Sequence, residues 1–277
     1  MNLSKSNIWR LLREQKILRT HRRVAAICQS LVEEYDAHPV HYQFSAKYSF
    51  DTDRIIWQYW AQGYESVPAV VQKCLASIEH FASDYTIVRL TDANLIEYID
   101  IPDFIWDKRK AMSVAHFSDL LRLMLLSTYG GIWIDATVQL TAPIPEEYAS
   151  QDFFIFRRDP QEANYKYWRN VYAYYFGWAK GFRVNMLSSF MVSKRSNPYC
   201  TRLCDLLLYW WQTRNELPDY FFLQIMEDVI SHSFATGMIV SDTLPHYLQQ
   251  SIVDPSFSIM SREDIVKQIP IHKMTYK

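Results

Sequence analysis

Residues 118–137, SDLLRLMLLSTYGGIWIDAT, constrain the fold more than any other stretch, because they set a polar pair, an apolar helix, a Gly-Gly stop and a strand ending in Asp in one order. Asp119 and Arg122 are three apart, so a helix puts them on one face, where both can grip one ligand. Leu120, Leu121, Leu123, Met124, Leu125 and Leu126 leave that helix apolar nearly all round, the mark of a buried helix. A charged pair inside it needs a partner or a task. Gly130 and Gly131 supply the left-handed stop that helix ends favour, and Ile132-Trp133-Ile134 runs as a short strand that delivers Asp135 to its carboxyl end. Open α/β sheets bind ligands there. Taken singly, these residues read as a structural ion pair and a strand end; their ordered combination points to a site.

The flanking sequence fits a sheet with crossover helices. Residues 55–60 (IIWQYW) form a first strand, a helical segment runs from Pro68 to about Ala82, and residues 85–90 (YTIVRL) form a second strand, so the connection is a right-handed parallel crossover. Asp92 is a candidate N-cap for the helix ANLIEYI. Further on come a strand at 152–158, an aromatic helix at 165–178 that serves as core or as an acceptor wall, and a strand at 186–193. Asn197-Pro198 then opens a helix to about Trp211, Asp219 opens a last clear helix, and IHKMTYK closes the chain as a frayed basic tail or as a reach toward a ligand.

Several enzyme classes lack their signatures. Glycine occurs six times, and only Gly130 and Gly131 lie within three positions of each other, which excludes a GxGxxG dinucleotide loop and a Walker loop. No HExxH helix and no GxSxG elbow occurs. Cys28, Cys74, Cys200 and Cys204 form no CxxC pair and read as buried free thiols. With 49% hydrophobic and 21% charged residues, 277 residues suffice for one large globular domain or one domain with an appendage.

Charge is uneven although the net is −1. Lys5, Arg10, Arg13, Lys16, Arg19, Arg22 and Arg23 face the single Glu14, with Ile8, Trp9, Leu11, Leu12, Ile17 and Leu18 interleaved, so a basic amphipathic helix is expected. It can lie on an anionic membrane through residues 1–33, or pack its apolar side on the main domain. No nucleic-acid partner is expected, since nothing else in the chain is basic on that scale. Residues 1–20 lack an apolar stretch, so no leader is expected, and no apolar run approaches the ~20 residues of a span. The expected location is the cytoplasm, with peripheral attachment to the inner face of the plasma membrane as an option.

Ser118, Asp119, Arg122, Gly130, Gly131, Trp133 and Asp135 resemble, in order and spacing, the sugar-binding region of glycosyltransferase family 32 and, within it, the bacterial capsular polysaccharide synthesis proteins. Residues 55–60 resemble that family's first strand, and the Pro-initiated helix after the 186–193 strand is also similar, with Ser189 where the family often has Asn. The resemblance implies a GT-A-type nucleotide-sugar-binding α/β fold. Asp119 and Arg122, with Ser118 and Trp133, would hold the donor sugar. Trp57, Gln58 and Trp60 would line the base pocket, although alternation puts Trp57 on the opposite face from the other two. Asp135 would sit at the ribose and at a bridging Mn2+ or Mg2+. Thr137 stands where the pattern has its second Asp, and a hydroxyl is a poorer ligand than a carboxylate for a hard cation. His272 as a metal ligand and Lys273 as a point charge could reach the diphosphate from the C-terminus.

These readings give a helical extension at 1–50 and a GT-A-type domain at 51–277. The expected function is transfer of a hexose or N-acetylhexosamine from a nucleotide-diphosphate sugar, a UDP-sugar first, to a glycan or lipid-linked oligosaccharide of a surface or capsular polysaccharide, with retention. Asp119, Arg122 and Asp135 carry the catalytic roles. A catalytically inactive nucleotide-sugar binder stays open through Thr137, and a membrane-associated scaffold through the N-terminal helix; turnover of nucleotide sugars separates the three.

Overall fold

The structure, a computed structural model, describes residues 5–42, 45–234 and 238–276. In chain order the elements are α1 (Lys5–Ala37), β1 (Ile55–Tyr59), α2 (Ala69–Phe81), β2 (Thr86–Leu90), α3 (Asp103–Lys108), α4 (Val114–Tyr129), β3 (Gly131–Ile134), β4 (Val138–Leu140) and α5 (Glu146–Ala149). They continue with β5 (Phe153–Arg157), α6 (Tyr165–Val171), β6 (Met186–Ser193), α7 (Pro198–Thr213), α8 (Phe222–Ser231), α9 (Tyr247–Val253), α10 (Arg262–Gln268) and β7 (Ile271–Lys273). Five strands form a mixed sheet in the order β2-β1-β3-β6-β5, with β1 parallel to β2 and β3, and β6 antiparallel to β3 and β5. β4 and β7 pair antiparallel as a separate ribbon. The expected α/β class is the one observed.

Strand alternation divides the core. Ile55, Trp57, Tyr59 and Trp133 pack with residues of α1, α4, α7 and α8, whereas Ile56, Ile132 and Ile134 pack with residues of α2, β4 and β7 on the other face. α4 starts at Ser113, whose hydroxyl accepts from the His116 N–H, and stops at Gly130, where φ is +76°. At Gly131 φ is +94°, and a Cβ there would lie 2.5 Å from the Ile55 carbonyl oxygen. Only glycine lets β3 leave the helix this close to β1.

α1 is divided along its length. Ile17, Val24, Cys28, Leu31 and Tyr35 are buried in the same core as α4 and α7, so the helix beyond residue 17 is not an appendage. The Tyr35 hydroxyl bonds Asp205 at 3.1 Å, and Glu34 pairs with Arg214 at 2.9 Å. Toward the N-terminus, Trp9 is 72% and Leu12 57% exposed, with Ile8 and Leu11 also exposed. Residues 1–4 of the stretch expected to meet a membrane lie outside the described residues. No helix among the described residues is long and apolar enough to cross a membrane. All four cysteines are free and buried.

Three local expectations fail for tertiary reasons. Asp92 caps no α-helix; only a 3-10 turn forms at Leu95–Glu97, and the Asp92 carboxylate instead accepts from the Tyr59 hydroxyl and from Arg109. The aromatic helix ends at Val171 because Tyr172, Tyr175 and Phe176 turn inward to pack around the His246 ring. The tail is not frayed: Ile271, His272 and Lys273 pair with Leu140, Gln139 and Val138.

Candidate active site

The carboxyl ends of the parallel strands β1 and β3, the first turns of α4 and the end of β7 meet at Asp135. Directly after β3, its N–H donates to the Ser189 carbonyl at 2.9 Å, which anchors the β3 end to β6. The β5–β6 ladder shifts register between Ile155 and Phe156, so Ser188 and Ser189 bulge out of the pairing beside Asp135.

Three groups hold the Asp135 carboxylate. The Trp133 indole N–H donates to Oδ1 at 2.8 Å and Arg122 Nη2 approaches it at 3.4 Å, while the Lys273 ammonium donates to Oδ2 at 2.8 Å. Lys273 also donates to the Thr137 hydroxyl at 2.6 Å. Arg122 reaches back to the Asp119 carboxylate through Nη1 and to the Ser118 hydroxyl at 3.2 Å through Nη2, with its guanidinium 5.2 Å from the centre of the Trp133 ring. Two carboxylates and two cations thus form one alternating chain of charge.

The two carboxylates titrate apart. Burial pushes Asp119 up to about 6 against the pull of Arg122, with Asp135 adding to the rise. Burial would raise Asp135 too, but Lys273, Arg122 and the Trp133 N–H bring it down to about 2. Asp135 is therefore held as an anion, while burial leaves Asp119 the more readily protonated of the two. Unused polar atoms lie close by: Arg122 Nε, the Ser189 hydroxyl and the Gln224 carbonyl oxygen are buried without a partner, and the Gln224 amide donates to Ser188 at 3.2 Å. Such atoms are costly unless a ligand satisfies them.

Ser118, Asp119, Arg122, Trp133, Asp135, Thr137, Ser189 and Lys273 converge, but not all in the expected roles. Trp133 is fully buried and orients Asp135 rather than facing a donor. Trp57 is also fully buried, donates to the Gly130 carbonyl at 2.9 Å and packs against Phe50 and Tyr129, so it cannot stack on a base. Gln58 is buried on the other face and accepts from Arg89 at 3.3 Å. Trp60 is half-buried after β1, 5.5 Å from the Tyr276 ring. His272 points away from Lys273, as neighbours on a strand must, and shares a hydrogen bond with Thr141; burial lowers it to about 4. It cannot join Asp135 around a metal.

Sequence reading missed Gln224, Tyr220 and Tyr276. Gln224 did leave a signal, as an uncharged polar residue inside the apolar run FFLQIM, the same signal that marked Asp119. The exposed Tyr220 lies within reach of the charges of Asp119, Asp135 and Arg122, and nothing local marked it or Tyr276.

The residues do not fit a divalent cation as they stand. Asp135 is the only carboxylate of the expected motif, both its oxygens are engaged, and Thr137 is engaged by the same ammonium. Among the described residues no three His, Cys, Asp or Glu side chains converge on a common point. A dication about 3 Å from an ammonium is repelled by on the order of 10 kcal/mol even at an effective dielectric constant of about 20.

Against known proteins, the sequence model of the family described as "Capsular polysaccharide synthesis protein" matches residues 8–277. The chain belongs to this family. The chain is also similar to the O-glycosyltransferase braB of Annulohypoxylon truncatum, 28% identical over 172 residues, 58% of this chain and 38% of that protein. The O-glycosyltransferase PaGT of Phomopsis amygdali is 24% identical over 172 residues, 58% of this chain and 39% of that protein. The matched region thus spans under two fifths of either relative. Among solved structures, the PaToxG glycosyltransferase aligns over 80% of each chain with 13% identity and a TM-score of 0.41. The chain is therefore related in sequence to proteins named as glycosyltransferases.

Proposed function

We propose that the chain is a hexosyltransferase that moves a sugar from a nucleoside diphosphate donor, a UDP-sugar first, to a glycan or lipid-linked oligosaccharide of a surface polysaccharide. The observation that carries this reading is the convergence of Asp119, Arg122, Asp135 and Lys273 at the carboxyl ends of β1 and β3. That is where a GT-A-type sheet, as in the glycosyltransferase family 32 pattern, would hold a nucleotide sugar. In this reading Asp135-Ala136-Thr137 is a variant of the Asp-x-Asp motif.

Asp119 and Arg122 supply an acceptor and donors for sugar hydroxyls, and the buried Ser189 and Gln224 add partners for a polar ring substituent. The bond between the anomeric carbon and the diphosphate oxygen breaks and leaves its electron pair on that oxygen. The acceptor hydroxyl bonds to the same carbon from the same face, with retention, and yields its proton to the departing diphosphate. Charge grows on the leaving group, so cationic donors aimed at it lower the barrier. Lys273 favours this reading over an inactive sugar-nucleotide binder, because it supplies a cation where Thr137 weakens a metal site.

The exposed Ile8, Trp9, Leu11 and Leu12 beside exposed Lys16, Arg19, Arg22 and Arg23 suit attachment to an anionic membrane face, where lipid-linked acceptors lie. Incubation of the purified chain with a panel of UDP-, GDP- and dTDP-sugars, with release of the nucleoside diphosphate as readout, tests the central claim. Hydrolysis or transfer with at least one donor is expected. Binding of a donor with no turnover, with or without acceptor glycans, would leave a sugar-nucleotide binder instead.

A further inference from the structure

The C-terminal strand closes on the strand-end motif. β7 pairs with β4 so that Lys273 lies opposite Val138, and the Met274 N–H donates to the Thr137 carbonyl at 2.8 Å. This register fixes the Lys273 ammonium between the Asp135 carboxylate and the Thr137 hydroxyl, with its side chain 23% exposed. An ammonium has three N–H donors, and two are used here. The third is free to donate to a phosphate oxygen while the other two keep hold of the protein. A divalent cation bridging a carboxylate and a diphosphate does the same job.

Charge balance points the same way. An Asp-x-Asp pair carries two negative charges and is neutralised by a dication, whereas Asp135 with Thr137 carries one and is neutralised by one ammonium. A hydroxyl in place of the second carboxylate and a lysine beside it thus match in charge. Partial burial keeps the ammonium's field strong at the ligand.

On this basis, and resting on the glycosyl-transfer reading above, we propose that Lys273 replaces the divalent metal at the diphosphate position, so that this chain binds and uses its nucleoside diphosphate donor without a metal ion. The group transfer is unchanged: the electron pair released from the anomeric carbon goes to the diphosphate oxygen, and the Lys273 N–H stabilises it there. Arg122 and Lys273 together present the cationic edge, and Asp135 positions the lysine.

Calorimetric binding of UDP and of GDP to the full chain, in excess EDTA and again in Mn2+, tests this. The affinity of the nucleotide that binds should agree within about twofold between the two conditions. Lys273→Gln should weaken it by about tenfold to a hundredfold, the usual effect of removing a charge-assisted hydrogen bond, and Lys273→Arg should retain most of it. Titration of Mn2+ alone, followed by electron paramagnetic resonance, should show no tight site in the wild type. Binding that collapses in EDTA and returns with Mn2+ would overturn the proposal, as would a folded Lys273→Gln with wild-type affinity. If Lys273→Gln fails to fold, the wild-type and Lys273→Arg comparisons in EDTA still decide. Absence of binding by UDP, GDP and, tested in the same way, dTDP in both conditions sinks the glycosyl-transfer reading and this proposal together, whereas metal-dependent binding sinks this proposal alone.

Discussion

Lys273 and Asp135 are separated by 138 positions and meet at 2.8 Å, ammonium to carboxylate. The last strand of the chain thereby completes a site begun by a helix and strand in its middle. Removing either end of the contact leaves an uncompensated charge in a shielded place.

Asp119 and Arg122 should separate by variant. Asp119→Asn keeps a hydrogen-bond acceptor for Arg122 but loses the anion, so transfer should drop by about a hundredfold or more while the melting temperature moves by only a few degrees. Arg122→Ala removes the cation between two carboxylates and should cost about 3–5 kcal/mol of stability as well. Kinetics and thermal melts on both variants check this. An Asp119→Asn enzyme with wild-type kcat/KM would reduce the pair to a structural ion pair.

Thr137→Asp restores the Asp-x-Asp spelling, yet the new carboxylate faces Lys273 rather than an open coordination position. Mn2+ affinity should stay weak in the single variant and rise about tenfold or more only when Lys273→Ala is added. Titration of Mn2+ into the single and double variants reads this directly. A tight site in Thr137→Asp alone would mean that the lysine moves aside easily.

The N-terminal helix should be probed at its tip. Deleting residues 1–33 removes Ile17, Val24, Cys28 and Leu31 from the core and should unfold the protein. Trp9→Ala with Leu12→Ala touches only exposed side chains and should lower binding to phosphatidylserine vesicles by about tenfold or more. Each basic residue adds roughly 1 kcal/mol near such a surface, so binding should also weaken steeply with salt. Equal binding to neutral and anionic vesicles would remove this role.

Acid should destabilise the fold through buried histidines. Burial lowers His246 to about 3, with Lys273 and Arg158 adding to the effect, and lowers His272 to about 4, against the ordinary value of 6.5. Between those values the unfolded chain binds more protons than the folded one, so this stability is full above about pH 6.5 and is lost as pH falls toward 4. Each residue contributes on the order of 3 kcal/mol over that window. Unfolding titrations from neutral pH to about pH 4 should show the decline, and His272→Gln should flatten its slope by about one proton.

Gly131→Ala forces a Cβ against the Ile55 carbonyl oxygen at a φ of +94°. The variant should lose at least about 2 kcal/mol, or roughly 4–8 °C in melting temperature. An unchanged melt would show that β1 and β3 can spread at no cost.

How far the sequence could be read depended on the range of the forces involved. The α4–Gly130-Gly131–β3 unit, the β1–α2–β2 crossover and the β6 strand were legible because periodicity, caps and glycine stops act within a few residues. The same local order placed Asp119 and Arg122 on one helix face and Asp135 at a strand end. Alternation also separated Trp57 from Trp60, but it could not say which face of the sheet α1, α4 and α7 would cover, and that buried Trp57 in the core. Likewise, tail residues with no strong local preference became β7 only because β4 offered a partner, which turned His272 inward and Lys273 onto Asp135. α1 was readable as a helix from end to end, whereas its division into a buried part and an exposed tip followed from where α7 and α8 stop covering it. Local sequence sets which side chains share a face; long-range packing decides what that face meets, because apolar burial is non-directional and takes whichever partner the closed chain provides.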